Sequence, residues 1–157
     1  MIEFAIHPVA VAGGTPGLSP MPGRTRHGGA DWPRLVDRAP GLVITMTPLH
    51  ELARMGSLPQ DLANIGIPLA HLPVADMGAP DAATQAGWTT VQARALAMPG
   101  RRGRLPARCF GGRGRAGMVA SRPMVAAGER PQAALARPRA VRPCAVATAA
   151  QRQWAQG

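Results

Sequence analysis

The 157-residue sequence has no lysine, no tyrosine, two phenylalanines and two cysteines. Each shortage removes a class of function. Cys109 and Cys144 are too few for a disulfide framework. Scarce aromatics leave little to stack on bases, so a single-stranded nucleic-acid groove is disfavoured. No apolar run approaches twenty residues, and no membrane-spanning helix is expected. The opening "MIEFAIHPVAVAGG" lacks a positive leading segment and carries Glu3. It reads as a first strand or lead-in rather than a signal peptide, which makes a cytoplasmic monomer the default expectation. His7, His27, His50 and His71 fall at no metal-ligand spacing, so no metal site is expected.

Acid is also missing from one half. Beyond Asp81 the only carboxylate side chain is Glu129, while thirteen of the eighteen arginines follow residue 90. The net charge of +10 would attract anions: phosphate esters, acidic peptides or nucleic acid. A GC-rich coding bias yields the same wealth of Arg, Pro, Ala and Gly, so charge alone selects no ligand.

What is present alternates. "GLSPMPGR" is dense in Gly and Pro and reads as loop. "DWPRLVDRAP" suits a helix capped by Asp31, with Pro33 in its first turn and Leu35 and Val36 facing inward. "GLVITM", residues 41–46, is a continuous β-branched run of the kind buried in parallel sheets. "TPLHELARMG" follows as a helix with Thr47 as cap, Pro48 first, Glu51 in the first turn and Gly56 at the end. "LPQDLANIGI" reads as a short helix and "PLAHLPVAD" as a strand entering a loop. "DAATQAGWTTVQARALAM" predicts a helix capped by Asp81, with Trp88, Val91 and Leu96 on one face. Strand and helix in alternation imply one α/β domain over residues 1–157, with a mostly parallel central sheet flanked by helices. Ligands bind at the carboxyl ends of such strands.

The stretch "ARCFGGRGRAGM", residues 107–118, carries the chemistry. A glycine-rich loop between a strand and a helix points several backbone N–H groups at one spot, with the helix dipole behind them. Phe110, Gly111, Gly112, Arg113, Gly114 and Arg115 would supply that anion cradle. The guanidinium of Arg115 adds a planar fork for two phosphate oxygens. A cysteine at the mouth of the loop feels the same dipoles, which lower its pKa and favour the thiolate. A thiolate under a bound phosphate is an in-line nucleophile. The alternative for Cys109 is an ordinary buried thiol.

Cys109, five residues, then Arg115 is the Cys-x5-Arg signature of protein tyrosine and dual-specificity phosphatases, and "CFGGRGRAG" resembles most the branch with the cyclin-dependent-kinase-inhibitor-associated phosphatase and its bacterial relatives. "GLSPMPGR" resembles the loop at the entrance to that branch's site, "PVADMGAPD" its general-acid loop and "CAVATAAQ" the segment after its last helices. The resemblance implies a tyrosine-phosphatase-like fold and hydrolysis of phosphate monoesters in proteins or small molecules, with no cofactor. It implies that Cys109 attacks phosphorus and forms a cysteinyl-phosphate, with Arg115 and the loop amides holding the equatorial oxygens. Asp76 would protonate the leaving group, with Asp81 the nearest rival for that part. Gln151 would orient the hydrolytic water.

Departures from the pattern are specific. Arg108 stands where a histidine usually precedes the nucleophile, and Ala116 where a hydroxyl usually eases expulsion of the thiolate. Pro106 falls in the expected central strand, where a missing N–H is poorly tolerated. Arg104 and Arg108 would be costly if buried beside it. Pro123 and Pro138 fall in expected helices. Together these predict a weakened second half. Two other functions remain open at this level: a phosphate-binding protein without turnover, and an arginine-driven nucleic-acid binder.

Overall fold

A computed structural model describes residues 5–9, 17–20, 22, 28–38, 40–97, 106–108 and 114–157. Among them lie five short strands and seven helices. The strands are β1 (His7–Pro8), β2 (Gly17–Ser19), β3 (Val43–Thr45), β4 (Leu69–His71) and β5 (Pro106–Arg108). The helices are α1 (Gly28–Asp37), α2 (Leu49–Leu52), α3 (Leu58–Asn64), α4 (Ala82–Leu96), α5 (Gly114–Ala126), α6 (Pro131–Val141) and α7 (Ala149–Ala155). The sheet order is β1-β2-β5-β3-β4, parallel except for the antiparallel β1–β2 edge. The chain is thus α/β, with a small, mostly parallel sheet.

β3 forms where the apolar run predicts it. Every residue from Leu42 to Met46 is fully buried, because β4 and β5 flank the strand on both edges. The same core takes in Leu18, Leu72, Val74 and Trp88 from one side of the chain and Met118, Val119 and Met124 of α5 from the other.

Five expectations need correction. "GLSPMPGR" is not all loop: Gly17–Ser19 pair with β5, and fully buried Leu18 rewards the pairing. Gly17 is required there, since a Cβ would stand 2.4 Å from the Ile6 side chain. Val36 is 46% exposed, although Leu35 beside it is buried. α1 begins before Asp31, so Asp31 lies in its first turn rather than ahead of it, and Pro33 falls inside the helix rather than in that first turn. α2 is capped by Pro48 without a side-chain bond, leaving Thr47 buried with an unpaired hydroxyl. Gly56 closes the following 3₁₀ turn with φ +102°.

The second half folds around its prolines. β5 forms with Pro106 as its first residue, a position where the absent N–H is tolerated. Its ladder with β3 begins one residue later, at Ala107. Pro123 and Pro138 lie inside α5 and α6, and both are buried. Each forfeits one helical hydrogen bond, yet the Ala127 and Arg142 amides bond back to the Pro123 and Pro138 carbonyls. Ser121 Oγ donates to the Ala134 carbonyl at 3.1 Å and joins the two helices. Trp154 of α7 meets Trp88 edge-on at 5.4 Å, while Arg122 of α5 stacks 4.5 Å from its ring. These contacts lock α4, α5 and α7 together.

Candidate active site

Arg115 stands at the second position of α5, just past the carboxyl end of β5. Its side chain is only 2% exposed, so its charge must be met by neighbours. Among the described residues, α2 and the segment after β4 both bring groups to it. α2 brings Glu51, whose Oε1 accepts from Nη1 at 3.2 Å and whose Oε2 accepts from Nη2 at 3.0 Å. The segment after β4 brings the Val74 carbonyl, which accepts from Nη1 at 3.0 Å. The same segment brings Asp76, with Oδ1 3.9 Å from Nη2. This is a two-pronged, charge-assisted grip, the stronger kind of arginine–carboxylate pairing.

Val74 is well placed to accept. Leu72 N donates to Thr45 O at 2.9 Å and Val74 N to Met46 O at 3.0 Å, so the β3–β4 pairing runs on past the strands. His71 Nε2 sits 2.8 Å from the Thr47 carbonyl, which makes that histidine a structural donor. The chain then turns. Gly78 N donates to Ala75 O at 2.9 Å, and Met77 N donates to Asp76 Oδ1 at 3.1 Å. Met77 adopts φ +61°, a left-handed conformation that costs about 1–3 kcal/mol in a residue with a Cβ. Asp76 itself is 73% exposed.

Asp81 does different work. Its Oδ1 accepts from Thr84 N at 2.8 Å and caps α4 as the sequence predicts. The bond from the Thr84 backbone N–H holds its carboxyl below the ordinary carboxylate range. Its oxygen is committed to the amino end of α4. Asp76, five residues earlier, faces the arginine instead.

The amino end of α5 packs against the chain between α6 and α7. A Cβ on Gly117 would lie 2.8 Å from both the Ala145 Cβ and the Val146 N, so only glycine permits this approach. Val146 N donates to Gly114 O at 3.3 Å, and Arg139 donates to the carbonyls of Ala145 and Val146. Gln151 is buried. Its Oε1 accepts from Ala147 N at 2.8 Å, and its Nε2 donates to Gly78 O at 3.0 Å. The side chain that the resemblance assigns to a water is therefore engaged with backbone. Ala116 is fully buried and brings no hydroxyl.

Cys109, Phe110, Gly111, Gly112 and Arg113 lie outside the described residues, as do Arg104 and His27. Gly114 and Arg115 stand at the amino end of α5 and Asp76 at the turn beyond β4. Cys144 is exposed and unpaired. Glu51 was placed by the sequence only in a helix's first turn. Its partner lies 64 residues away, and no local pattern signals it. A groove of about 530 Å³ opens at the other end of the strands, between Pro40–Gly41 and Ile65–Pro68, and carries no titratable side chain. Among the described residues no helix is long and apolar enough to cross a membrane.

No family model matches the sequence, and no curated protein does. Solved structures do match. The chain is similar to kinase-associated phosphatase carrying a serine in place of its catalytic-site cysteine, with 22% identity, 96% of this chain and 92% of that one covered, and a TM-score of 0.80. It is similar to Tk-PTP in its active form, with 24% identity, coverage of 88% and 87%, and a TM-score of 0.67. It is also similar to PTPMT1 in complex with PI(5)P, with 17% identity, coverage of 90% and 87%, and a TM-score of 0.68. All three have the fold of tyrosine and dual-specificity phosphatases, and so has this chain.

Proposed function

On this tyrosine-phosphatase fold, we propose that residues 1–157 act as one domain that hydrolyses phosphate monoesters through a cysteinyl-phosphate. Cys109 attacks phosphorus in line. The amides from Phe110 to Arg115 and the Arg115 guanidinium hold the equatorial oxygens. Asp76 gives its proton to the departing alkoxide or phenoxide, a contribution of about 10²–10⁴ in rate. The substrates are phosphotyrosine, phosphoserine or phosphothreonine in proteins, or a small phosphate ester. No cofactor is required for this chemistry.

One observation carries the reading. Arg115, at the start of the helix after the Cys-x5-Arg loop, and Asp76, on the turn after β4, come within 3.9 Å although 39 positions separate them. The pair puts a guanidinium and a carboxyl where both can reach one substrate. Glu51 accepts from both Nη atoms, which fixes the guanidinium in place before a ligand arrives.

A second reading is a phosphate binder with little turnover. Buried Ala116 favours it, because no hydroxyl is there to assist loss of the thiolate. The test is hydrolysis of p-nitrophenyl phosphate by the wild type and Cys109→Ser, with vanadate as inhibitor. Vanadate-sensitive activity lost in Cys109→Ser supports the enzyme. Vanadate binding without turnover supports the binder. Neither, with salt-sensitive DNA binding, supports the nucleic-acid alternative. In the enzyme, Ala116→Ser should raise the steady-state rate that follows the burst; equal rates would count against a role for the missing hydroxyl.

A further inference from the structure

The turn that carries Asp76 is held from a distance. Among the described residues, two side chains from outside the turn reach its backbone, and both belong to the cap of α7. Thr148 Oγ1 donates to the Met77 carbonyl at 3.1 Å, and Gln151 Nε2 donates to the Gly78 carbonyl at 3.0 Å. The Thr148 hydroxyl also accepts from Gln151 N at 3.2 Å, and the Gln151 Oε1 faces the Ala147 and Thr148 amides. The two form a reciprocal capping box. Within it each group has one direction. The hydroxyl's acceptor side is filled by an amide, so its single proton goes to Met77. The Gln151 oxygen is filled likewise, so its NH₂ turns to Gly78.

The turn needs such a hold. Met77 keeps a left-handed φ of +61° that its Cβ disfavours. The Asp76–Arg115 separation of 3.9 Å exceeds hydrogen-bond length, and Asp76 is 73% exposed, so that pair restrains the turn weakly.

We propose that Thr148 is a positioning residue: its hydroxyl, through the Met77 carbonyl, sets the turn that aims Asp76 at the substrate held by Arg115. This rests on Asp76 being the leaving-group acid. It ties the turn that carries the acid to a helix cap 71 residues beyond Met77 in the chain.

The test uses the full-length chain with Thr148→Gly and Thr148→Ser. Glycine caps a helix nearly as well as threonine but has no hydroxyl to donate; serine keeps it. The first readout is amide hydrogen exchange at Gly78, with Gly66 as reference, since both amides close comparable turns. The second is kcat/KM on p-nitrophenyl phosphate, a good leaving group, and on phenyl phosphate, a poor one. Thr148→Gly should speed Gly78 exchange about tenfold and leave Gly66 unchanged. It should lower kcat/KM about tenfold on phenyl phosphate and less than about threefold on p-nitrophenyl phosphate, because only the poor leaving group needs a well-placed acid. Thr148→Ser should restore both readouts, and in an Asp76→Asn background Thr148→Gly should cost nothing further. An unchanged Gly78 rate overturns the proposal. So does an equal loss on both esters that adds in full to that of Asp76→Asn. A wild type inert toward both esters sinks the functional reading, a failure told apart by Gly78 exchange that still answers to Thr148.

Discussion

Arg115 and Arg137 each grip a glutamate, in very different surroundings. Arg115 is 2% exposed and meets both oxygens of Glu51, which is 17% exposed, from an element 64 positions away. Arg137 of α6 is 40% exposed and meets one oxygen of Glu129, 25% exposed, eight positions earlier. The chemistry of the two pairs is the same. What differs is the solvent around them, and that decides the energetics. Water screens an outer pair to little net worth. An inner pair is committed: Arg115 has left water and Glu51 mostly has, so losing Glu51 strands a buried guanidinium. The inner pair also stands at the candidate site, where a fixed guanidinium is useful. The outer one only braces the loop between α5 and α6.

The comparison breaks most easily at Glu51. Glu51→Gln keeps the side-chain volume but leaves Arg115 without its principal counter-charge. It should cost about 3 kcal/mol in urea unfolding, the low end for a broken buried pair, because Asp76 still stands 3.9 Å away. A change below about 1 kcal/mol would show that the pair behaves like a surface one. A third carboxylate sharpens the scale in between. The Asp81 pKa is lowered in the folded chain by the Thr84 amide. Its stabilisation is therefore fully present above the ordinary carboxylate pKa and is lost as pH falls through the lower folded value. Thermal melts of Asp81→Asn and wild type should differ at neutral pH and converge in acid; a constant gap would point away from ionisation. The smallest effect belongs to Glu129→Gln, at about 0–1 kcal/mol. In 1 M salt, where the screening length is about 3 Å, that effect should vanish while the Glu51→Gln deficit persists. Equal salt sensitivity would erase the distinction.

How much of this was legible follows from where each signal lies. β3 and α4 carry theirs locally: an unbroken apolar run in one case, a capping Asp81 with Trp88 one helical face on in the other. β2 and β5 do not. "GLS" looks like a turn until Leu18 is buried, and "PAR" looks hostile to a sheet until its proline falls at the strand's first residue. Such strands exist because neighbours recruit them, and recruitment is invisible in a single line of text. The cap of α2 was misjudged by one residue, since proline at the cap offers no side-chain oxygen to read. Arg115 and Asp76 could be singled out from motif context. Glu51 and Thr148 could not, because a first-turn acid and a small polar residue are ordinary in sequence and acquire meaning only from partners 64 and 71 positions away.

The shortness of α7 has a practical consequence. Seven residues are too few to hold a helix by themselves, so this one persists only through what it packs against. Trimming Trp154 away from Trp88 and Arg122 would therefore unwind the helix and release its capping box as well.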